Sequence, residues 1–172
     1  MSDDTADNVQ PRSSALRKGR HSVAGRVYFI TTNITRRQRL LTPPAREAII
    51  ASLQWLRDQG RLWRLGYVIM DDHFHALLML RDGHDLDRIL HSLKSFTAHA
   101  INQERGQTGN IWQPGYHDHT IRDGADLNFH LQYMHDNPVR RGWVERAEAY
   151  AWSTAHPERK LDIDWQALGF EG

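Results

Sequence analysis

Leu62-Trp63-Arg64-Leu65-Gly66-Tyr67-Val68-Ile69-Met70-Asp71-Asp72-His73-Phe74-His75-Ala76-Leu77-Leu78-Met79-Leu80 is the stretch that decides the fold. Two runs rich in apolar residues, 62–70 and 73–80, flank a pair of aspartates. They read as the two strands of a hairpin with Asp71-Asp72 at its turn. Successive strand residues point to opposite faces, so His73 and His75 project together while Phe74 packs behind them. Such a pair can ligate a metal. On spacing alone it also suits two satisfied histidines at the rim of a core.

Working outward, residues 26–34 (RVYFITTNI) are β-branched and aromatic and read as a strand. A helix follows: Thr42 can cap it, Pro43 suits its first turn, Ile49, Ile50, Leu53 and Leu56 share a face, and Gly60 ends it. After the hairpin, residues 85–103 carry Leu86, Ile89, Leu90, Leu93, Phe96, Ala100 and Ile101 at helical spacing. Residues 105–110 read as a loop, and 111–121 as a strand broken at Pro114-Gly115. Asp123 then caps a helix predicted to run to about Asn137, where Pro138 stops it.

The order β-α-β-β-α-β plus one helix implies an α+β fold. It is a ferredoxin-like antiparallel sheet with helices on one face and an additional C-terminal helix. The expected organisation is a disordered basic arm over 1–20, one domain over 21–145, and a tail over 146–172 that wraps the core.

On the last helix, Leu127, Leu131 and Met134 form an apolar stripe, flanked by a strip of Asp126, His130, Tyr133 and Asn137. Tyr133 and Asn137, four apart, lie one above the other. Alone, Tyr133 reads equally as a packing residue and Asn137 as a helix C-terminal cap. Together with the histidine pair they can build one site: a metal held by two imidazoles and an amide oxygen, beside a phenol. His117 and His119 repeat the spacing in weaker surroundings.

The 172 residues contain no cysteine, which excludes disulfides and thiol chemistry. The opening Met1-Ser2-Asp3-Asp4 is polar, and no apolar run nears the ~20 residues of a membrane span, so a cytoplasmic protein is expected. There is no Walker glycine loop. Net charge is +1, yet no acidic residue occurs from Asn8 to Arg46, a stretch holding nine basic ones. Of the chain's 22 basic residues 19 are arginine, whose planar fork suits phosphates and base edges. Nucleic-acid contact is the expectation.

Residues 67–78 (YVIMDDHFHALL) resemble the HUH segment of single-tyrosine transposases. Residues 111–122 (IWQPGYHDHTIR) are similar to the block that follows it in the REP-associated tyrosine transposases. Residues 133–144 (YMHDNPVRRGWV) resemble that family's tyrosine helix with its Asn-Pro-Val ending, and Tyr150-Ala151-Trp152-Ser153 its Trp-Ser block. The resemblance spans about residues 16–156. It implies that Tyr133 is the nucleophile, that His73, His75 and Asn137 ligate a divalent Mg or Mn, and that Arg17, Lys18, Arg20 and Arg26 meet a DNA hairpin. Arg36, Arg37 and Lys94 are further candidates for DNA contact, and His119 and His130 for supporting the metal ligands from outside. Ligand type alone would suit Zn or Mn equally.

The implied activity is metal-dependent cleavage and rejoining of single-stranded DNA at repetitive palindromic hairpins through a 5′-phosphotyrosine, by a monomer. One departure stands out: the family commonly has Met-Pro-x-His where this chain has Met70-Asp71-Asp72-His73. Two other readings compete: a non-catalytic sequence-specific DNA-binding protein on the same scaffold, and a zinc hydrolase built on His73, His75, His117 and His119.

Overall fold

A computed structural model describes residues 22–160 and 162–168. The basic arm over 1–20 lies outside the described residues, and Arg17, Lys18 and Arg20 with it. The main elements are β1 (Val27–Asn33), α1 (Pro43–Asp58), β2 (Leu62–Ile69), β3 (His73–Leu80), α2 (Leu86–Arg105), β4 (His117–Thr120) and α3 (Gly124–His135), with short turns α4 (Asn137–Arg140) and α5 (Pro157–Lys160). The strands form one antiparallel sheet in the order β2-β3-β1-β4, the ferredoxin-like arrangement.

The local signals act as elementary chemistry requires. The hydroxyl oxygen of Thr42 accepts the Ala45 amide, and the Asp85 and Asp123 carboxylates accept those of Arg88 and Asp126. Each such cap contributes about 1 kcal/mol. Helices α1 and α2 cover one face of the sheet, burying Ile49, Leu53, Leu56, Leu90 and Leu93 against Ile30, Phe74, Ala76 and Leu78. The additional helix α3 takes the opposite face, where Leu127 and Met134 bury with Phe29, Leu65, Val68 and Leu77.

That second layer depends on a close approach. An irregularity in β2 between Arg64 and Gly66 turns Leu65 and Gly66 both toward α3. A Cβ on Gly66 would lie 2.7 Å from Met134 Cε and 2.9 Å from Leu131 Cδ1, so only glycine lets the helix sit this near. Residues 152–154 run along the outer edge of β2. There Ile69 N–H donates to the Trp152 carbonyl (2.9 Å), Tyr67 N–H to Thr154 Oγ1 (3.0 Å) and Arg64 N–H to the Asp164 carboxylate (2.9 Å).

Three expectations need correction. The ladder of β4 holds only His117–Thr120, because Pro114-Gly115 breaks the chain. Upstream of that break Ile34 and Trp112 form an isolated bridge, and Trp112 packs edge-on to Phe74 with centroids 5.5 Å apart. Phe96 is exposed rather than part of the α2 stripe. Its place is taken by buried Thr97, one turn after Leu93, which accepts the Trp112 indole N–H at 3.0 Å. Helix α3 ends at His135, and Pro138 lies in the first turn of α4 instead of stopping α3.

Candidate active site

The β1–β3 register sets Thr31 opposite His75 and Asn33 opposite His73, and the β1–β4 register sets Thr31 opposite His117. Residues paired across a ladder share a face, so all of these project toward α3. Tyr133 and Asn137 come down on them. His73, His75, Tyr133 and Asn137 line a single cavity of about 310 Å³, whose rim includes Arg37 and Arg141. The His75 and Tyr133 rings meet edge-on, centroids 5.8 Å apart, and His73 meets His75 at 4.8 Å.

Each histidine is held by one nitrogen. His75 Nδ1 contacts Thr31 Oγ1 at 2.7 Å, and His73 Nδ1 contacts an Asp72 carboxylate oxygen at 2.5 Å. Both contacts leave Nε2 as the nitrogen that can take a cation, the arrangement that sets the tautomer of metal-binding histidines. Burial pushes His75 down to about 3, aided by His73, Arg37 and Arg140 and opposed by Asp72. The ring is therefore neutral at physiological pH. The donor set fits a divalent metal: two oriented imidazoles with Asn137 beside them. The Asn137 side-chain N–H donates to the Tyr133 carbonyl (3.2 Å), so it also closes the end of α3.

The two aspartates that depart from the family pattern are tied down by arginine. Asp72 Oδ2 pairs with Arg37 Nε at 3.0 Å and Asp72 Oδ1 with Arg141 Nη2 at 3.3 Å, while Asp71 Oδ2 pairs with Arg39 Nε at 3.2 Å. Burial raises the Asp72 carboxyl. His73 and the two arginines outweigh that and hold it well below the usual carboxylate range. Asp72 thus acts on His73 from behind. Arg36 and Arg37 both adopt positive φ, 56° and 52°, in a short 3-10 turn after β1. Such strain persists where the surroundings enforce it, here through the Arg37–Asp72 pair.

The other expected contacts separate. Arg37 lines the cavity mouth, and Arg36 precedes it in the same 3-10 turn without lining the cavity. Arg26 precedes β1, roughly 20 Å along the strand from Asn33. Lys94 sits on α2, across the sheet, and donates to the Gln113 and Gly115 carbonyls at 2.6 Å each. His119 and His130 share the α3 face but bond to Asp126 instead of the ligand histidines: His119 Nε2 lies 2.9 Å from Oδ2 and His130 Nδ1 3.2 Å from Oδ1. These three side chains offer ligand atoms within 4.8 Å of one another, a second set able to hold a divalent metal. Sequence reasoning missed the roles of Thr31, Asp72, Asp126 and Arg140. Arg140 places its guanidinium 4.2 Å from the centre of the Tyr133 ring and donates to the Tyr133 carbonyl at 2.9 Å. Among the described residues no helix is long and apolar enough to cross a membrane.

A ferredoxin-like sheet with a paired-histidine strand and a tyrosine on the helix above it defines a class, the single-tyrosine transposases. The family model for IS200-like transposases matches residues 23–137. The chain is 33% identical over 153 residues to the REP-associated tyrosine transposase of Escherichia coli K12, covering 85% of this chain and 88% of that one. A REP-associated tyrosine transposase solved bound to a REP hairpin superposes with TM-score 0.67 at 30% identity, covering 89% of both chains. The chain belongs to the IS200-like transposases, in the branch of REP-associated tyrosine transposases, and its role is that of a DNA-binding transposase.

Proposed function

We propose that this chain cleaves and rejoins single-stranded DNA at palindromic hairpins through a 5′-phosphotyrosine on Tyr133. The observation that carries the reading is the shared cavity, with the His75 and Tyr133 rings 5.8 Å apart and Nε2 of both histidines turned away from their hydrogen bonds. The Tyr133 oxygen attacks phosphorus in line, the bond to the 3′ oxygen breaks, the phenolic proton is lost to solvent, and the departing oxygen is protonated to a 3′-hydroxyl. The phosphodiester bond is exchanged rather than hydrolysed, so a 3′-hydroxyl can reverse the step and join another strand.

Arg140, fixed over the Tyr133 ring, and Arg37 and Arg141 at the rim place positive charge where the phosphoryl oxygens gather negative charge. His73, His75 and Asn137 are the residues that would hold a divalent metal, Mg or Mn, which when bound supplies Lewis-acid polarisation of the phosphoryl oxygen. Thr31 and Asp72 keep the two imidazoles aimed. One chain supplies both the histidines and the tyrosine, which supports action as a monomer. The hairpin is inferred from the relative solved with one and from the arginine-rich arm, Arg17, Lys18 and Arg20 included.

The test is a labelled single-stranded hairpin oligonucleotide with purified protein and Mn²⁺, run on a denaturing gel. Wild type gives a covalent protein–DNA species, and Tyr133→Phe binds the hairpin without forming it. An adduct that persists in Tyr133→Phe overturns the assignment, and binding without any adduct in wild type favours a non-catalytic DNA-binding protein. Restoration of chelated protein by zinc alone would overturn the choice of metal.

A further inference from the structure

Beside the cavity just described lies a second one of about 220 Å³, lined by Phe29, Thr31, His75, Phe129, His130 and Tyr133. The two share Thr31, His75 and Tyr133, so the second opens directly from the tyrosine. Its walls are aromatic. Phe29 stacks on His75 with centroids 5.2 Å apart and meets His130 at 4.8 Å and Tyr133 at 6.1 Å. The outer wall is Phe129, one helical turn before Tyr133 on α3 and 65% exposed. Its one ring neighbour among the described residues is His130, edge-on at 5.2 Å.

The His130 ring is fixed. Its Nδ1 reaches the Asp126 carbonyl at 2.9 Å, and its face stacks on His119 at 4.5 Å and 19°. His119 Nε2 in turn lies 2.9 Å from the buried Asp126 carboxylate, which also accepts the Arg122 backbone N–H at 3.0 Å. A donor proton on Nδ1 makes Nε2 of His130 a hydrogen-bond acceptor. Thr31, whose oxygen contacts His75, adds a hydroxyl to the floor. A chamber of this size walled by aromatic rings, with an acceptor and a hydroxyl in its lining, suits an aromatic heterocycle that has exchangeable N–H groups.

We propose that this chamber receives one unstacked nucleobase flanking the scissile phosphate, with the exposed Phe129 ring as its stacking wall. The proposal rests on the reading of Tyr133 as the residue that meets that phosphate. Tyr133 lines both the chamber and the cavity that holds the two histidines, so a base in the chamber and its neighbouring phosphate meet the same side chain. Flipping a base out costs least in single-stranded DNA, and stacking on an aromatic ring offsets that cost whatever the base. The captured base would fix the register of the strand so that one phosphate faces Tyr133. Phe129 is thereby a residue that sets where the strand is cut.

The experiment scans a hairpin oligonucleotide, placing 2-aminopurine and then an abasic residue at each position of its single-stranded flank. Wild type, Phe129→Ala and Phe129→Tyr are compared, with circular dichroism confirming equal folding. In the non-cleaving Tyr133→Phe background, binding is expected to quench 2-aminopurine at one flank position, and adding Phe129→Ala to abolish that quench. In the cleaving protein an abasic residue there slows adduct formation at least tenfold. Phe129→Ala slows the intact substrate comparably and the abasic substrate no further, and Phe129→Tyr restores the rate. Quenching at no position, or Phe129→Ala and abasic effects that multiply independently, overturns the proposal. A quench that depends on Phe129 in a protein forming no adduct keeps the base chamber and removes the cleavage reading, so the two failures are distinct.

Discussion

Replacing Asp72 with asparagine tests whether the carboxylate behind His73 is what keeps this imidazole aimed. The substitution keeps the size of the side chain and removes the charge that pairs with Arg37 and Arg141 and sits 2.5 Å from His73 Nδ1. Mutating the group that orients a metal-binding histidine from behind, here by removing its charge, typically weakens the metal about 10–100-fold. Take 30-fold, and a Mn²⁺ concentration of about 100 Kd for wild type. Binding then stabilises wild type by about 2.7 kcal/mol and the variant by about 0.9 kcal/mol. For a domain of this size the difference of about 1.8 kcal/mol is a shift of about 4–7 °C in Tm. The assay is thermal unfolding with and without Mn²⁺, so that the variant's own metal-free Tm is the reference. Arg37 and Arg141 are partly exposed, so the metal-free loss is modest, on the order of 1 kcal/mol. A metal-dependent shift equal to wild type would refute the reasoning and leave Asp72 as a structural ion pair.

Gly66→Ala forces a Cβ against Met134 and Leu131, costs about 1–3 kcal/mol by urea unfolding, and lowers Tyr133 adduct formation by shifting α3; adduct formation at the wild-type rate would show that α3 does not need this approach. Burial holds His75 at about 3 and His135 at about 4, below the unfolded value near 6.5. Between about pH 6.5 and pH 4 the unfolded chain therefore binds protons that the native chain refuses, and stability falls as pH falls. His135→Gln is expected to flatten the urea midpoint against pH in that window, and an unchanged slope would discount its burial. Changing Arg17, Lys18 and Arg20 together to alanine is expected to weaken hairpin binding and make log K against log salt shallower by about 0.7–0.9 for each phosphate no longer neutralised; unchanged affinity would remove the arm from the interface.

The fold was legible where local chemistry and periodicity agree. Thr42, Asp85 and Asp123 mark helix starts, and the alternation through 73–80 separates Phe74 from its two histidines. It was least legible in 111–116, where Ile111 and Trp112 look like strand residues but bury with the α1–α2 core ahead of the Pro114 break. Phe96 misled for a similar reason, since a hydrogen-bonded threonine claimed the inward position beside it. At the site, the histidine pair and the Tyr133–Asn137 pair follow from strand and helix periods. Thr31 does not, because its contact with His75 spans 44 residues and exists only through the β1–β3 register. Nor does the role of Asp72, since a carboxylate at a hairpin turn reads as a solvated turn residue until Arg37 and Arg141 converge on it.

The polypeptide after α4 has a consequence of its own. An outermost strand with bare amides is a template on which a second molecule can add its own strand. Here the amides of Arg64, Tyr67 and Ile69 are already occupied by Asp164, Thr154 and Trp152. The opposite margin of the sheet is the four-residue β4, too short to offer much of a platform. Cutting the chain near residue 150 would bare those amides and turn the border of β2 into a place where a second copy can add its own strand.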